Sequence, residues 1–355
     1  MTKRLWTSIF ASLGMLVLII DTKTAVVAAQ NGIKLCLMTV IPSLFPFFIL
    51  SILLTSVLSG TRTGILAPLH KLLGVPDGAE SMFLIGILGG YPTGAKAITD
   101  SYKAEKISKS TARRMLSFCS NAGPAFIFGI AAFAFPNQNA GWALWGIHIL
   151  SAIFVALSIP KDPSEPVCTV NNESISITQA LRQSILITAQ VCGWILLFRV
   201  IIAFLFRWIL WILPTWGQIF IIGILELANG CGSLMQIPSE GLRFLFCTGI
   251  LGFGGLCVLM QTYSITGSLG IHSYLKGKLL QLLYSLLLGY LYQRIFLHDF
   301  IEIPPAYIGF FLLFTAIFII FVRKKKKVIA FMRNIVYNNH NTLSRRQTYA
   351  VSKEN

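Results

Sequence analysis

LIGILGGYPTGAK, residues Leu84–Lys96, is an apolar run that stops abruptly at glycine, proline and hydroxyl-bearing residues. A second stretch, IIGILELANGCGS at Ile221–Ser233, repeats the I-G-I-L tetrapeptide and then breaks in the same manner, this time at a glutamate. Glycine interrupts a regular helix through its conformational freedom, and proline does so because it lacks a backbone donor. Both stretches therefore predict interrupted helices.

The composition around these stretches is typical of a membrane protein. Of the 355 residues, 55% are hydrophobic and only 12% are charged, whereas soluble domains carry about 25% charged residues. About 20 apolar residues suffice to cross the hydrocarbon layer. Stretches near or above that length lack Asp, Glu, Lys and Arg at Leu35–Thr61, Met115–Pro160, Trp208–Leu225, Phe244–Leu275 and Ile303–Val322. We therefore expect the lipid bilayer as a partner.

The charge distribution argues against nucleic acid as a partner, and the spacing of cysteines and histidines gives no sequence support for a metal site. The net charge is +16, but the basic residues form short clusters beside apolar runs, where they suit anionic headgroups better than nucleic acid. The seven cysteines contain no CxxC and the five histidines no HxxxH or HExxH. We therefore expect no nucleic-acid partner, no metal and no cofactor.

The chain divides into six segments by composition. An uncleaved first helix is favoured over a signal peptide that ends at Val27–Ala29. The segments are a first transmembrane helix at 1–23, a first repeat at 24–159, a polar linker at 160–177, a second repeat at 178–297, a last transmembrane helix at 298–322 and a basic tail at 323–355. The cluster RKKKK in the tail predicts a cytoplasmic C-terminus in a multi-pass protein of the bacterial inner (cell) membrane.

Two copies of one unit explain the internal similarity. Ile222–Leu225 matches Ile85–Leu88 at an offset of 137, and LGFGGLCVL later follows the second break as NAGPAFIF follows the first. Pro42 and Pro46 are expected to bend or break the helix in the first repeat. The predicted fold is all-α, a polytopic membrane helical bundle with two pseudo-repeats that contain broken or re-entrant helices.

The interrupted segments are the predicted substrate site. Discontinuous helices at corresponding positions of two repeats mark the binding site in secondary transporters, because free helix ends bind polar solutes. Glu226 follows an 18-residue charge-free stretch, and a carboxylate in the membrane costs several kcal/mol unless it is neutralised, paired or hydrated. A structural glutamate that joins two helices is the alternative for Glu226, and glycine packing is the alternative for the glycines.

Two basic residues are candidate partners of this acid. Lys96 can act as a counter-charge or extend to the interface. Arg199 can pair with Glu226, bind an anionic substrate or lie at the headgroups. The predicted substrate-binding residues are Tyr91, Pro92, Thr93, Gly94, Asn121, Gly123, Glu226, Asn229, Gly230, Gly254 and Gln261.

Four ordered motifs, GGYPTGAK, ISKSTARRMLSFCSNAGPAFIFG, LELANGC and LGFGGLCVLMQ, extend this interpretation. Between about Asn31 and Tyr292 the chain resembles the YlbJ-like sporulation integral membrane proteins, which carry the nucleoside-recognition or Gate domain. It departs from them at Ala228, where a hydroxylated residue is usual, and at Ser120, where Asn is common. The resemblance implies a role in building the spore envelope or cortex and kinship with nucleoside-transporter gating domains.

The residues bear on three classes of function: a transporter, a scaffold and an enzyme. A secondary transporter or permease of a small polar solute, nucleoside-like or an envelope precursor, is favoured, with a proton or sodium as coupling ion. A membrane scaffold for spore-envelope assembly is the alternative, and it requires neither Glu226 nor the helix breaks. An enzyme is disfavoured, because the apolar segments hold no acid pair and no Ser/His couple at suggestive spacing. A homo-oligomer stays open.

Overall fold

The computed structural model describes residues 2–58, 67–137, 139–161 and 175–297, with short helical pieces between 308 and 320. The chain forms two compact units, Met1–Ala156 with Asp162–Glu302, and Leu157–Lys161 with Ile303–Asn355. The second unit holds the short helical pieces. The predicted last helix at 298–322 falls mostly outside the described residues, as do the tail and most of the linker.

The regular elements of the described residues are all helices. Four of them are long and apolar enough to cross a membrane, namely Thr22–Val57, Asn139–Ser158, Ile177–Trp208 and Glu240–Leu269. Large apolar side chains also stand exposed along the first helix, where Ile19 is 72% and Ile20 is 74% accessible. Such a surface suits lipid contact. The predicted all-α membrane bundle is confirmed.

The first long helical stretch differs from the prediction. It comprises α1 (Thr2–Ile20), α2 (Thr22–Leu35), a π-helical turn at Cys36–Val40 and α3 (Ile41–Leu58). Pro42 and Pro46 do not break this helix, because α3 contains both; that they bend it stays a prediction. The Ile41 N–H bonds to the Cys36 carbonyl, so the wider π turn shifts the hydrogen-bond register just before the prolines, and the helix tolerates their missing donors.

The first predicted interruption is a hairpin. After α4 (Ala67–Leu73), α5 (Glu80–Gly89) and α6 (Thr93–Lys103) meet at a tip around Gly90, whose φ is +71°. In a straight helix Gly86 and Gly94 would lie about 12 Å apart, but a Cβ built on Gly94 would lie 2.8 Å from the Gly86 Cα. The chain therefore folds back on itself, and residues 80–103 are called hairpin 1.

A broken helix follows hairpin 1. It consists of α7 (Lys109–Met115), the irregular segment 116–123 and α8 (Pro124–Gly129), and residues 109–129 are called broken helix 1. The Ser108 hydroxyl accepts a hydrogen bond from the Thr111 N–H at 3.1 Å and caps α7. The half then ends with α9 (Asn139–Ser158).

The second half has a hairpin at the corresponding place. After α10 (Ile177–Trp208), α11 (Thr215–Leu225) and α12 (Leu227–Ser233) are joined at Glu226. A Cβ on Gly230 would lie 2.5 Å from the Gly223 Cα, although seven residues of straight helix span about 10 Å. Residues 215–233 therefore form hairpin 2.

The second half also has a broken helix. Its parts are α13 (Glu240–Phe253) and α14 (Gly255–Thr266), and residues 240–266 are called broken helix 2. Gly254 and Gly255 separate the parts with φ of +82° and +80°, which only glycine adopts without strain. The long helix α15 (His272–Phe296) ends this half and packs along α13.

Candidate functional site

The four helix interruptions touch one another in pairs. A Cβ on Gly90 of hairpin 1 would lie 2.8 Å from the Gly123 N of broken helix 1. A Cβ on Gly254 of broken helix 2 would lie 2.9 Å from the Tyr91 hydroxyl, and one on Gly255 would lie 3.3 Å from the Leu227 N of hairpin 2. The absence of a side chain at these glycines thus lets backbones meet, so the helix ends of both halves converge.

A small cavity lies at this convergence. Its volume is about 40 Å³, and its polar lining comes from Tyr91, Glu226 and Gln261, with apolar residues of α3 and α10 closing the sides. A water molecule needs roughly 10–15 Å³ measured in this way, whereas sites for drug-sized ligands measure about 300–1,000 Å³. The cavity in this conformation holds an ion or a few waters, and a nucleoside-sized solute does not fit.

Glu226 is the buried acid at the tip of hairpin 2. Its carboxylate accepts hydrogen bonds from the Ala228 N–H at 3.0 Å, the Asn229 N–H at 2.6 Å and the Asn229 Nδ2 at 2.7 Å. The acid therefore caps the N-terminus of α12, where the free amides and the helix dipole favour a negative charge. Three donors offset part of the cost of burying this group.

Arg199 reaches the acid through an amide. Its Nη1 donates to Asn229 Oδ1 at 2.6 Å, so an arginine–asparagine–glutamate chain connects α10 to the tip of hairpin 2. This contact takes the place of the direct pairing with Glu226 that was one of the alternatives for Arg199. Lys96 instead forms an ion pair with Asp100 at 2.6 Å, partly in solvent, and so it is not a counter-charge for Glu226.

A larger cavity lies in the groove between α2 and α10. Its volume is about 580 Å³, and its polar lining includes Asp21, Lys23, Asn31, Arg199 and Arg207. The hydrogen bonds from Thr24, together with Arg207, whose Nε lies 3.0 Å from the carboxylate, hold the pKa of Asp21 below its usual value. The groove lies between the first turns of α2 and the last turns of α10. It reaches Arg199, whose guanidinium also contacts Asn229 of hairpin 2.

Lys278 on α15 is a site residue that sequence reasoning missed. Its buried ammonium donates to the Tyr91 hydroxyl and to Gln281 Oε1, each at 2.7 Å. The ring centroids of Tyr91 and Tyr274 lie 4.9 and 5.7 Å from Nζ, within the range of cation–π attraction. A lysine four residues after Tyr274 and three before Gln281 shares a helix face with both, and that polar face was a usable signal.

The network continues from Lys278 into broken helix 1. Gln281 Nε2 donates to Asn121 Oδ1 at 3.0 Å, and Asn121 Nδ2 donates to the Phe118 carbonyl at 2.8 Å. His148 Nε2 on α9 accepts the Ala122 N–H at 2.9 Å. His148 of α9 thus bonds the irregular backbone of broken helix 1 directly, and Gln281 of α15 reaches it through the Asn121 side chain.

The predicted site residues fall into two groups, those that line the small cavity and those that do not. Those in its wall are Tyr91, Gly123, Glu226 and Gln261. The others lie behind it: Gly254 against the Tyr91 hydroxyl, Asn121 and Asn229 in the hydrogen-bond networks, Gly94 and Gly230 in the packing inside the hairpins, and Pro92 and Thr93 at the start of α6. Their contact with a substrate stays a prediction.

An all-α bundle with spanning helices, two hairpins and two broken helices around a small, mostly apolar cavity defines a polytopic integral membrane protein. The chain is similar to the "Sporulation integral membrane protein YlbJ" of Bacillus subtilis (strain 168), with 33% identity over 135 residues. That match covers 37% of this chain and 33% of the relative, so it spans about a third of that protein's length. No protein-family model and no solved structure matches the chain.

Proposed function

We propose that the chain is a secondary transporter of a small polar solute, with its substrate site between the tips of the two hairpins. The observation that carries this proposal is the small cavity where both tips meet the two broken helices, with Tyr91, Glu226 and Gln261 in its wall. Irregular backbone at membrane depth is tolerated only where protein buries it or where it lines a cavity. A scaffold has no need of such an arrangement.

A shared packing pattern supports two copies of one unit. In the first half, the Cys119 carbonyl of broken helix 1 lies against the glycine pair Gly86 and Gly94. In the second half, the Ile250 side chain of broken helix 2 packs against the pair Gly223 and Gly230. The contacting positions are 131 residues apart, the same spacing as Gly123 and Gly254. Two repeats that rock against each other give alternating access.

In the proposed cycle, hairpin 2 moves to admit the solute. The closed cavity of about 40 Å³ excludes a nucleoside-sized molecule, while the groove beside Arg199 is about 580 Å³. When the hydrogen bond from Arg199 to Asn229 breaks, the tip of hairpin 2 can move away from α10, next to the groove. Glu226 then accepts a coupling proton or pairs with a sodium ion as the solute binds, which limits the uncompensated charge in the membrane.

The proposed biological role comes from the likeness to the sporulation protein, whereas the proposed solute class comes from the resemblance of the four motifs to nucleoside-recognition domains. We propose a nucleoside-like or envelope-precursor solute, a role in forming the spore envelope, and a cytoplasmic C-terminus because of the basic cluster at 323–327. The role is tested by expressing the chain in a sporulating host that lacks the relative and counting heat-resistant spores. No gain over the empty vector contradicts the proposed role.

Uptake into proteoliposomes tests transport directly. Radiolabelled nucleosides, peptidoglycan precursors and small organic acids are offered to the wild type, to Glu226→Gln and to Glu105→Gln. Glu105 is an exposed glutamate on a loop, so its variant is a control for the loss of one charge. We expect uptake of one class by the wild type and by Glu105→Gln, and a loss of at least tenfold in Glu226→Gln.

Two outcomes contradict transport. One is that no solute of the three classes accumulates above protein-free liposomes. The other is that Glu226→Gln transports as well as the wild type, because the acid then has no part in the cycle. A spore-assembly function that survives both Glu226→Gln and a bulky substitution at a hairpin tip favours a scaffold.

A further inference from the structure

An acid outside the proposed substrate site is buried without hydrogen bonds. Glu80, the first residue of α5, is 1% exposed. Among the residues that the structure describes, neither of its carboxylate oxygens has a hydrogen-bond partner. A buried carboxylate without a donor costs several kcal/mol, and proteins resolve this cost with a proton or with a cation. The neighbours of Glu80 indicate which.

His70 on α4 and Asp77 in the connecting loop face this carboxylate. The His70 Nδ1 lies 4.0 Å from Asp77 Oδ1 and has no hydrogen-bond partner in the described part of the chain. One ligand atom from each of the three residues lies within 4.8 Å of the others. The side chains of His70 and Asp77 are 23% and 42% exposed, so the cluster has a buried side at Glu80 and an open side toward solvent.

We propose that His70, Asp77 and Glu80 bind one divalent metal ion of the zinc class. One imidazole and two carboxylates are a ligand set that zinc accepts, and a three-residue set leaves a fourth position for water. Two ligands about 2.1 Å from a tetrahedral ion lie about 3.4 Å apart, so each ligand moves inward by less than about 1 Å. Gly74 and Gly78, with φ of +62° and +87°, lie in the loop that carries Asp77.

The position of the site suggests its effect. The same loop is held on its other side by Arg114, which donates to the carbonyls of Leu73 at 2.7 Å and Gly74 at 3.0 Å. A metal ion that joins α4, the loop and Glu80 fixes the start of α5, and α5 is the first arm of hairpin 1. The proposed role of the metal ion is to stabilise the position of hairpin 1, and this role does not require that the protein is a transporter.

Zinc binding by the purified full-length protein tests this site. The tag-free protein in detergent is stripped with EDTA, titrated with ZnCl2 in competition with a chromophoric chelator, and its bound zinc is counted by mass spectrometry. We expect one Zn²⁺ per chain and a rise in the melting temperature with zinc. Loss of supporting groups alone weakens metal sites 10–100-fold, so Glu80→Gln and His70→Gln are each expected to weaken zinc binding by at least about tenfold.

The control variants make the same Glu→Gln and His→Gln substitutions at residues outside the proposed metal site. Glu105→Gln and His272→Gln alter an exposed glutamate and an exposed histidine, and both are expected to bind zinc as the wild type does. Glu80→Gln is isosteric with a protonated glutamate, so the variant folds if that residue carries a proton. Zinc binding that Glu80→Gln and His70→Gln both retain, no zinc bound by the wild type, or equal stabilisation by MgCl2 would each overturn the zinc site.

Discussion

Replacement of Gly230 by alanine tests the fold-back of hairpin 2. A Cβ at this position would lie 2.5 Å from the Gly223 Cα and 3.4 Å from the Ile250 Cδ1, and backbone cannot rotate away as a side chain can. Overpacking of this kind costs about 1–3 kcal/mol. Because alanine is favoured over glycine in a helix by about 1 kcal/mol, we expect a net loss of up to about 2 kcal/mol of stability.

Gly232 provides the matched control for this variant. It lies two residues further along the same helix, α12, and a Cβ built there meets no heavy atom within 4 Å. Gly232→Ala therefore keeps the helix-propensity gain of about 1 kcal/mol without a clash. The two variants should differ by the overpacking cost of about 1–3 kcal/mol, and 1 kcal/mol moves the melting temperature of a large domain by about 2–4 °C.

The assay is thermal unfolding of the detergent-solubilised protein, followed by thiol-reactive dye or by fluorescence size-exclusion. We expect Gly230→Ala to melt roughly 2–12 °C below Gly232→Ala, with the wild type between them. Equal melting temperatures for the two variants would mean that α11 and α12 do not pack against each other at these glycines. The hairpin, and with it the closed cavity at its tip, would then be refuted.

Four further outcomes follow from individual contacts. Lys278→Met should lower the melting temperature less than Lys278→Ala, since methionine fills the space while alanine adds a cavity that costs about 2–4 kcal/mol; equal losses would contradict the packing around Tyr91. Arg114→Lys should lose about 2 kcal/mol, because one ammonium cannot serve the carbonyls that the buried guanidinium reaches, whereas the exposed Arg182→Lys should be neutral. The pKa of Asp21 is lowered in the folded state. The stabilisation from its contacts is therefore complete at pH values above the unfolded pKa of about 3.9, and it is lost as the pH falls through the lower pKa of the folded state. The melting temperatures of wild type and Asp21→Asn should converge only in that acidic range. Hydrogen exchange measured by mass spectrometry should be faster in hairpin 2 than in hairpin 1, and the reverse order would contradict the proposed gate.

The positions of the interruptions followed from residue types, but their geometry did not. Glycine and proline at 89–94 and the glutamate at 226 predict breaks, because each opposes a continuous helix or its burial in lipid. A kinked helix and a hairpin require the same residues at a break, and only the contact of Gly86 with Gly94 distinguishes them. The same limit explains Pro42 and Pro46, where a π turn keeps the helix continuous.

Individual polar residues were predicted unevenly for a related reason. Glu226 stood out because a long charge-free stretch precedes it, and the structure buries it. Lys278 lies near the start of its helix, where lysines usually reach the interface, so its burial depends on the tertiary contact with Tyr91. Glu80 precedes a short apolar run and has no partner at regular spacing, and its cluster with His70 forms only when the loop closes.

The two hairpins are held by different kinds of contact, and this difference determines which one can open. Hairpin 1 encloses a backbone carbonyl, that of Cys119, and its Tyr91 is bonded to the buried ammonium of Lys278. Hairpin 2 also meets backbone, that of Gly255 at its tip, but the group between its arms is the Ile250 side chain, and the bond from Arg199 to Asn229 joins it to α10. Side chains change rotamer in place, whereas a lodged backbone moves only with its whole helix. Breaking one hydrogen bond to a charged group costs about 1.5–3 kcal/mol, within the range that differential ligand binding supplies in a two-state change. In the proposed transporter the solute therefore enters past hairpin 2, and hairpin 1 stays in place as the fixed wall of the site.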